Sequence, residues 1–242
     1  MFNRQAFTYL VTVGLFALLI KLGFWQLSRA HQKQYLEQQL ISRQQAHPLT
    51  YSQLLSSNEQ NLTGFKLTVS ASPTRNPIFL LDNQVFKGRV GYLAYQVMQV
   101  EPEQPWLLVE LGFVPAMTQR SQLPKVSQFT HEMRFSGKVY QRLLNPMSHQ
   151  LLAEKGSPVR IQNININALA EYLNHPLAPA IFQPSTSATD VAGQKLAKPW
   201  QPLPMPAQKH YGYAVQWFAM ATTLAVIVLW QLRKKRLKQK QA

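Results

Sequence analysis

Two apolar runs, one near each end of the chain, constrain its fold more than any other feature. The first extends from Phe7 to Leu27 (FTYLVTVGLFALLIKLGFWQL) and the second from His210 to Trp230 (HYGYAVQWFAMATTLAVIVLW). Each has the ~20 residues that an α-helix needs to cross the hydrocarbon core of a bilayer. The single charge inside the first run, Lys21, stands near its far end, where the amine can snorkel to the interface. A cleaved signal peptide fits that run poorly, because SRAHQKQYLEQQ follows it rather than a small-residue cleavage site.

The formal charge of +15 would suggest nucleic acid if it were spread over the chain. Six of the basic residues (Arg233, Lys234, Lys235, Arg236, Lys238 and Lys240) instead lie in the last ten positions, directly behind the second apolar run. The positive-inside rule accounts for such a tail, and no nucleic-acid motif accompanies it. The tail is therefore expected in the cytoplasm, and two crossings bring the N-terminus to the same side. Arg29 and Lys33 pull weakly the other way and are outweighed. The region between the helices is then external, the periplasm of a bacterial cell or the intermembrane space of a mitochondrion, and the chain is expected to be a multi-pass protein of a bacterial inner membrane. Its parts are a cytoplasmic N-terminus (1–6), a first membrane helix (7–27), a periplasmic region (28–209), a second membrane helix (210–230) and a basic cytoplasmic tail (231–242). Membrane lipid is its first expected partner, and nucleic acid is not one.

Between the helices the pattern changes. SRAHQKQYLEQQLISRQQ (28–45) lacks glycine and proline, so the first helix is expected to run on into water. His47 to Asn61 reads as a turn-rich connection. Six runs rich in β-branched and aromatic residues then follow at 65–71, 78–82, 91–100, 106–114, 134–141 and 159–164, divided by Pro, Gly and Asn. A short helix is expected at 167–175, ended by Pro176, and PLAPAIFQ adds a last strand. LDNQVFKGRVGY (81–92) reads as an Asp-Asn turn leading into a strand. From Pro184 to Lys209 the composition suits an extended return to the membrane. The fold class is α+β: two transmembrane helices flanking a mainly antiparallel, sheet or barrel-like external domain.

The absence of cysteine excludes disulfides, thiolate metal sites and cysteine nucleophiles. Asp82 and Asp190 are the only aspartates, and there is no nucleophile elbow, phosphate-cradling glycine loop or HExxH. Glu101 and Glu103, flanking Pro102, suit a solvated turn better than a catalytic pair. The chain is not expected to be an enzyme.

One residue stands out at the membrane boundary. His210 opens the second helix and shares a stripe with Ala214, Trp217 and Ala221, with Tyr213 close to it. By topology the end of the first helix, including Trp25, lies at the same depth. Gly14, Gly23, Gly212, Ala214 and Ala221 would let the two helices approach closely. An imidazole beside large rings suits a flat macrocycle carrying iron, although Trp and Tyr also form ordinary interfacial belts. A second, weaker metal reading is copper(I), for which His131 with Met133 and Met147 with His149 offer imidazole and thioether.

Four segments taken together carry a family resemblance. They are GFWQLSRAHQK (23–33), FLLDNQVFKGRVGY (79–92), LVELGFVPA (108–116) and HYGYAVQWFAMA (210–221). In order they resemble the Gly-x-Trp-Gln-Leu signature, the Leu-Asp-Asn segment, the Gly-aromatic-Val-Pro strand end and the second membrane helix of the Surfeit-locus (Surf/Shy) family of cytochrome c oxidase assembly proteins. The chain departs from that pattern at Gln84 and Leu111, where the family often has arginine. The resemblance implies an assembly factor for a haem–copper oxidase. Its partners would be the oxidase catalytic subunit and other assembly or haem-synthesis proteins. It further implies haem A held by His210, with Trp25, Tyr213 and Trp217 as pocket residues. A scaffold that binds no cofactor and, behind it, a copper-handling protein are the alternatives.

Overall fold

A computed structural model describes residues 4–142, 148–185, 195–199 and 205–240. The chain divides into two compact units, one comprising Met1–Gln39 with Leu203–Ala242 and the other Leu40–Pro202. Met147, Asp190 and Trp200 lie outside the described residues.

The first unit is helical. Helix α1 spans Arg4–Gln45, so the run-on beyond Leu27 is present, and it stops three residues before Pro48. Helix α4 spans Ala207–Lys240; it opens directly after Pro206 and continues through the basic tail. Each helix contains an 18-residue stretch apolar enough to cross a membrane, with mean hydropathy 1.9 in α1 and 1.6 in α4. Leu10, Val13, Val215 and Leu229 are exposed along them, an arrangement compatible with anchoring in lipid.

What the helices bury follows a narrow stripe. On α1 it contains Leu19, Gly23, Gln26 and Ala30; on α4 it contains Ala207, His210, Ala214, Trp217 and Ala221. Alternating intervals of three and four residues define a coiled-coil seam. Its small residues allow close backbone approach. A Cβ on Gly23 would stand 2.6 Å from Cε1 of Phe218, so a side chain there would require the ring to shift.

The second unit is β-rich. Strands β1 (Lys66–Pro73), β2 (Phe79–Phe86), β3 (Arg89–Gln99), β4 (Leu107–Pro115), β5 (Met133–Tyr140), β6 (Val159–Ile161) and β7 (Ile181–Pro184) form one sheet in the order β1-β5-β7-β4-β3-β2-β6. A further pairing of β1 with β3, at Ser72↔Gln99 and Pro73↔Met98, closes five of the strands into a barrel, with β2 and β6 extending from β3. Closure removes the open edges that an isolated sheet would present. The pairing is mainly antiparallel, as expected; β2–β6 and β4–β7 are parallel. Strand β4 is buried along almost its whole length because its residues serve different cores. Leu107 and Val109 join Leu67, Phe135 and Phe182; Leu108 and Phe113 join Phe79, Tyr95 and Ile181; Leu111 joins Leu80 and Leu196. Helix α3 (Ile166–Leu173) is capped by Asn165 and buries Leu169.

Two local expectations change. The Asp82–Asn83 pair is not a turn: β2 passes through it with a bulge between Leu81 and Gln84, where Asn83 takes φ 57°. The reversal falls at Lys87 and Gly88, whose φ values of 48° and 75° suit a two-residue hairpin turn. The connection at 47–61 also contains a helix, α2 (Tyr51–Leu55), opened by a reciprocal Thr50–Gln53 capping box and anchored by buried Tyr51 and Leu54. Thr50→Ala is expected to lower stability by about 1 kcal/mol, read as a shifted urea midpoint at unchanged slope.

Candidate functional site

His210 lies in the first turn of α4 and is 9% exposed. Its Nδ1 is 2.8 Å from Oε1 of Gln26 on α1. Its Nε2 is buried and, among the described residues, has no hydrogen-bond partner. Trp217 is half-buried two turns further along the same stripe. Trp25 and Tyr213 stand outside the seam, 49% and 43% exposed, and the Arg29 guanidinium lies 5.7 Å from the Trp25 ring centre. The structure thus pairs His210 with Gln26, the residue next to Trp25. The phase of the seam explains the one-residue difference: counting by three and four from Leu19 and Gly23 reaches position 26.

Further ties set the helix register at this end. The α4 backbone amide of Ala207 donates to Oε1 of Glu37 at 3.0 Å, satisfying a helix-end N–H with an anionic side chain. The Tyr211 hydroxyl donates to Oε1 of Gln34 at 3.0 Å. Phe24 meets Phe218 edge to face with centroids 5.4 Å apart.

As a donor, His210 fits haem iron. One ring nitrogen is held by a side-chain partner, and the other is buried without one, the usual division of labour in a metal-bound imidazole. Because Nε2 lies inside the seam, access to it requires the helices to part at that layer.

The β unit contains a second ionisable cluster, which the sequence reading did not single out. Glu110 on β4 is 1% exposed. Its Oε1 accepts from Nε2 of Gln183 at 2.8 Å, and its Oε2 accepts from the Tyr140 hydroxyl, which lies 3.1 Å from that of Tyr95. Burial raises the Glu110 carboxyl above its ordinary pKa and does the same to both tyrosines. Lys198, from the return segment, donates to the Pro184 carbonyl at 2.6 Å, and burial pushes its amine down to about 8.

The remaining sequence candidates are dispersed. His131 and Met133 are exposed, and among the described residues no group of three or more His, Cys, Asp or Glu could hold a metal. Glu101 and Glu103 lie in an exposed turn. At the two departures from the family pattern, Leu111 is fully buried in a core, while Gln84 donates to the Asp82 carbonyl and accepts from Arg142 at 3.3 Å. Asp82 is paired with the guanidinium of Arg120 at 2.7 Å.

A search of the curated proteins gave no significant match. The sequence model of the SURF1 family matches residues 13–222, a stretch that takes in most of α1, the whole β unit and the first half of α4. The chain therefore belongs to the SURF1 family, which is generally linked to cytochrome oxidase assembly.

Proposed function

We propose that this protein is a non-catalytic assembly factor for a haem–copper cytochrome c oxidase and holds haem A through His210 before the haem passes to the catalytic subunit. The observation that carries the reading is that Nε2 of His210, at the end of two membrane-length helices, has no hydrogen-bond partner among the described residues while Nδ1 is held by Gln26. When bound, haem supplies an iron that takes a nitrogen lone pair and a flat apolar ring. The chain's own part is positional. Trp217 lines the same stripe of α4, and the exposed rings of Trp25 and Tyr213 flank that end of the helices. The site needs enough affinity to protect the haem and less than the final oxidase site.

The topology proposed with this function is that of a bacterial inner-membrane protein, with the basic tail of α4 and the N-terminus in the cytoplasm and the β unit in the periplasm. Partners there are lipid, the oxidase catalytic subunit and other assembly or haem-synthesis proteins. One observation favours a second reading, a membrane-anchored scaffold without cofactor: Nε2 has almost no exposed surface within the seam.

Absorption spectra separate the two. Protein purified from cells that make haem A is expected to carry a Soret band, and His210→Ala to lose most of it. If both are equally colourless despite haem supply, the scaffold reading holds. Cells lacking the protein are expected to show reduced oxidase activity with normal haem synthesis; normal oxidase activity would remove both readings.

A further inference from the structure

We infer that Gln26 is the positioning residue for His210: it fixes the imidazole as the tautomer protonated at Nδ1 and leaves the Nε2 lone pair directed into the seam as the ligand atom. The inference rests on the reading of His210 as a haem ligand but is measurable without haem.

The argument begins with hydrogen-bond bookkeeping. A side-chain amide oxygen can only accept, so the 2.8 Å contact between Gln26 Oε1 and His210 Nδ1 places the proton on Nδ1. In the neutral ring Nε2 is then an acceptor with no partner among the described residues. Turning the Gln26 amide over would make Nδ1 the acceptor and leave an N–H at Nε2, a buried donor with nothing to receive it. Buried orphan donors are rarer in folded proteins than under-satisfied acceptors, so the first arrangement wins.

The surroundings hold this arrangement in place. Gln26 and His210 occupy facing seam positions among Gly23, Ala30, Ala207 and Ala214, which offer no competing side-chain polar group. The bonds Ala207 to Glu37 and Tyr211 to Gln34 prevent α4 from slipping along α1, so Gln26 stays opposite His210. A metal-bound histidine commonly has its second nitrogen anchored in this way, which orients the ring and raises its basicity. Gln26 would therefore act on the site through the imidazole it holds.

The test is 15N NMR of the full chain, labelled at histidine and prepared free of haem in lipid nanodiscs, with His210→Gln used to assign the resonance. Wild type is expected to show Nε2 unprotonated and Nδ1 protonated. Gln26→Leu should lose that single tautomer, and Gln26→Glu, which keeps an acceptor, should restore it. In haem-loaded preparations Gln26→Leu should weaken retention about 10–100-fold, with Gln26→Glu close to wild type. A proton on Nε2 in wild type, or an unchanged spectrum in Gln26→Leu, overturns the inference. If the tautomer follows Gln26 but wild type takes up no haem, the cofactor reading fails and the positioning role of Gln26 stands.

Discussion

Gly137→Ala is expected to destabilise the β unit by about 3 kcal/mol, the upper part of the usual range for overpacking a close contact. The side chain is small, but there is no room for it. A Cβ at Gly137 would lie 2.3 Å from the Gln183 carbonyl oxygen, 2.7 Å from the Pro184 Cα and 2.9 Å from a ring carbon of Phe182. Two of these atoms are backbone, and they belong to the strand that β5 pairs with through Gly137↔Pro184 and Lys138↔Gln183. Relief thus requires β5 and β7 to separate. Because β7 links β5 to β4 in the closed ring, separation there opens the barrel. Gly88→Ala provides the comparison. Nothing lies within 4 Å of a Cβ at Gly88, but its φ of 75° makes a side chain strained, for about 1 kcal/mol. The two variants separate lack of space from lack of conformational freedom. For a protein of this size the expected midpoint losses are about 6–12 °C and about 2–4 °C, measured by thermal unfolding of the full chain with a probe in the β unit. Equal losses would mean that the β5–β7 contact relaxes at little cost.

The strands and the helices were legible because their signals are local. Runs such as FKLTVSA and GYLAYQVMQV carry β-branched and aromatic residues between Pro, Gly and Asn, and β1 and β3 fall on them within a few residues. A barrel was one of two architectures the strands suggested, but which strands close it was not legible, since the pairings Ser72↔Gln99 and Val139↔Phe182 join segments far apart in the chain. Helix α2 was missed although Thr50-x-x-Gln53 is a capping-box pattern, because the surrounding Pro, Ser and Asn pointed to turns. At the membrane end, aromatic character directed attention to Trp25, whereas the helix phase from Leu19 through Gly23 to Ala30 selects Gln26. The Asp-Asn pair misled for a physical reason: Asn tolerates positive φ, and here that freedom forms a bulge inside β2 instead of a turn. Glu110 had a visible signal too, a carboxylate in the otherwise apolar run WLLVELGFV, which is the pattern of a buried polar group that needs partners.

That carboxylate leads to the second large expected effect. Glu110→Ala should cost about 3 kcal/mol, combining a cavity with the loss of two buried hydrogen bonds. Gln183 would lose its 2.8 Å bond and retain a 3.5 Å contact from its Nε2 to the Pro199 carbonyl, and the Tyr140 hydroxyl would lose its carboxylate acceptor. Glu110→Gln should behave in the opposite way. Its amide oxygen can accept from Gln183 and its NH2 can donate to Tyr140, so the network survives without an ionisable group. The pH dependence separates the two contributions. Burial holds the folded carboxyl above its ordinary value of 4.5. Above that value the unfolded chain releases the proton while the folded chain retains it, so the folded state binds more protons and stability falls as pH rises. The contribution is fully present below the ordinary value and is lost as pH climbs to the folded one. Lys198 acts with the reverse sign at higher pH. Its amine is lowered from 10.5 to about 8 by burial, so between those values the unfolded chain holds the extra proton and stability rises with pH. Urea unfolding of the full chain at pH 5 and pH 7, below the Lys198 window, reads the carboxyl as the difference between wild type and Glu110→Gln, since the six histidines that titrate in this range are common to both. Wild type should lose stability between the two, and Glu110→Gln should lose less and exceed wild type at pH 7. An identical decline in both proteins would mean that Glu110 is charged in the folded barrel and that Tyr140, Gln183 and the nearby Lys198 together offset its burial.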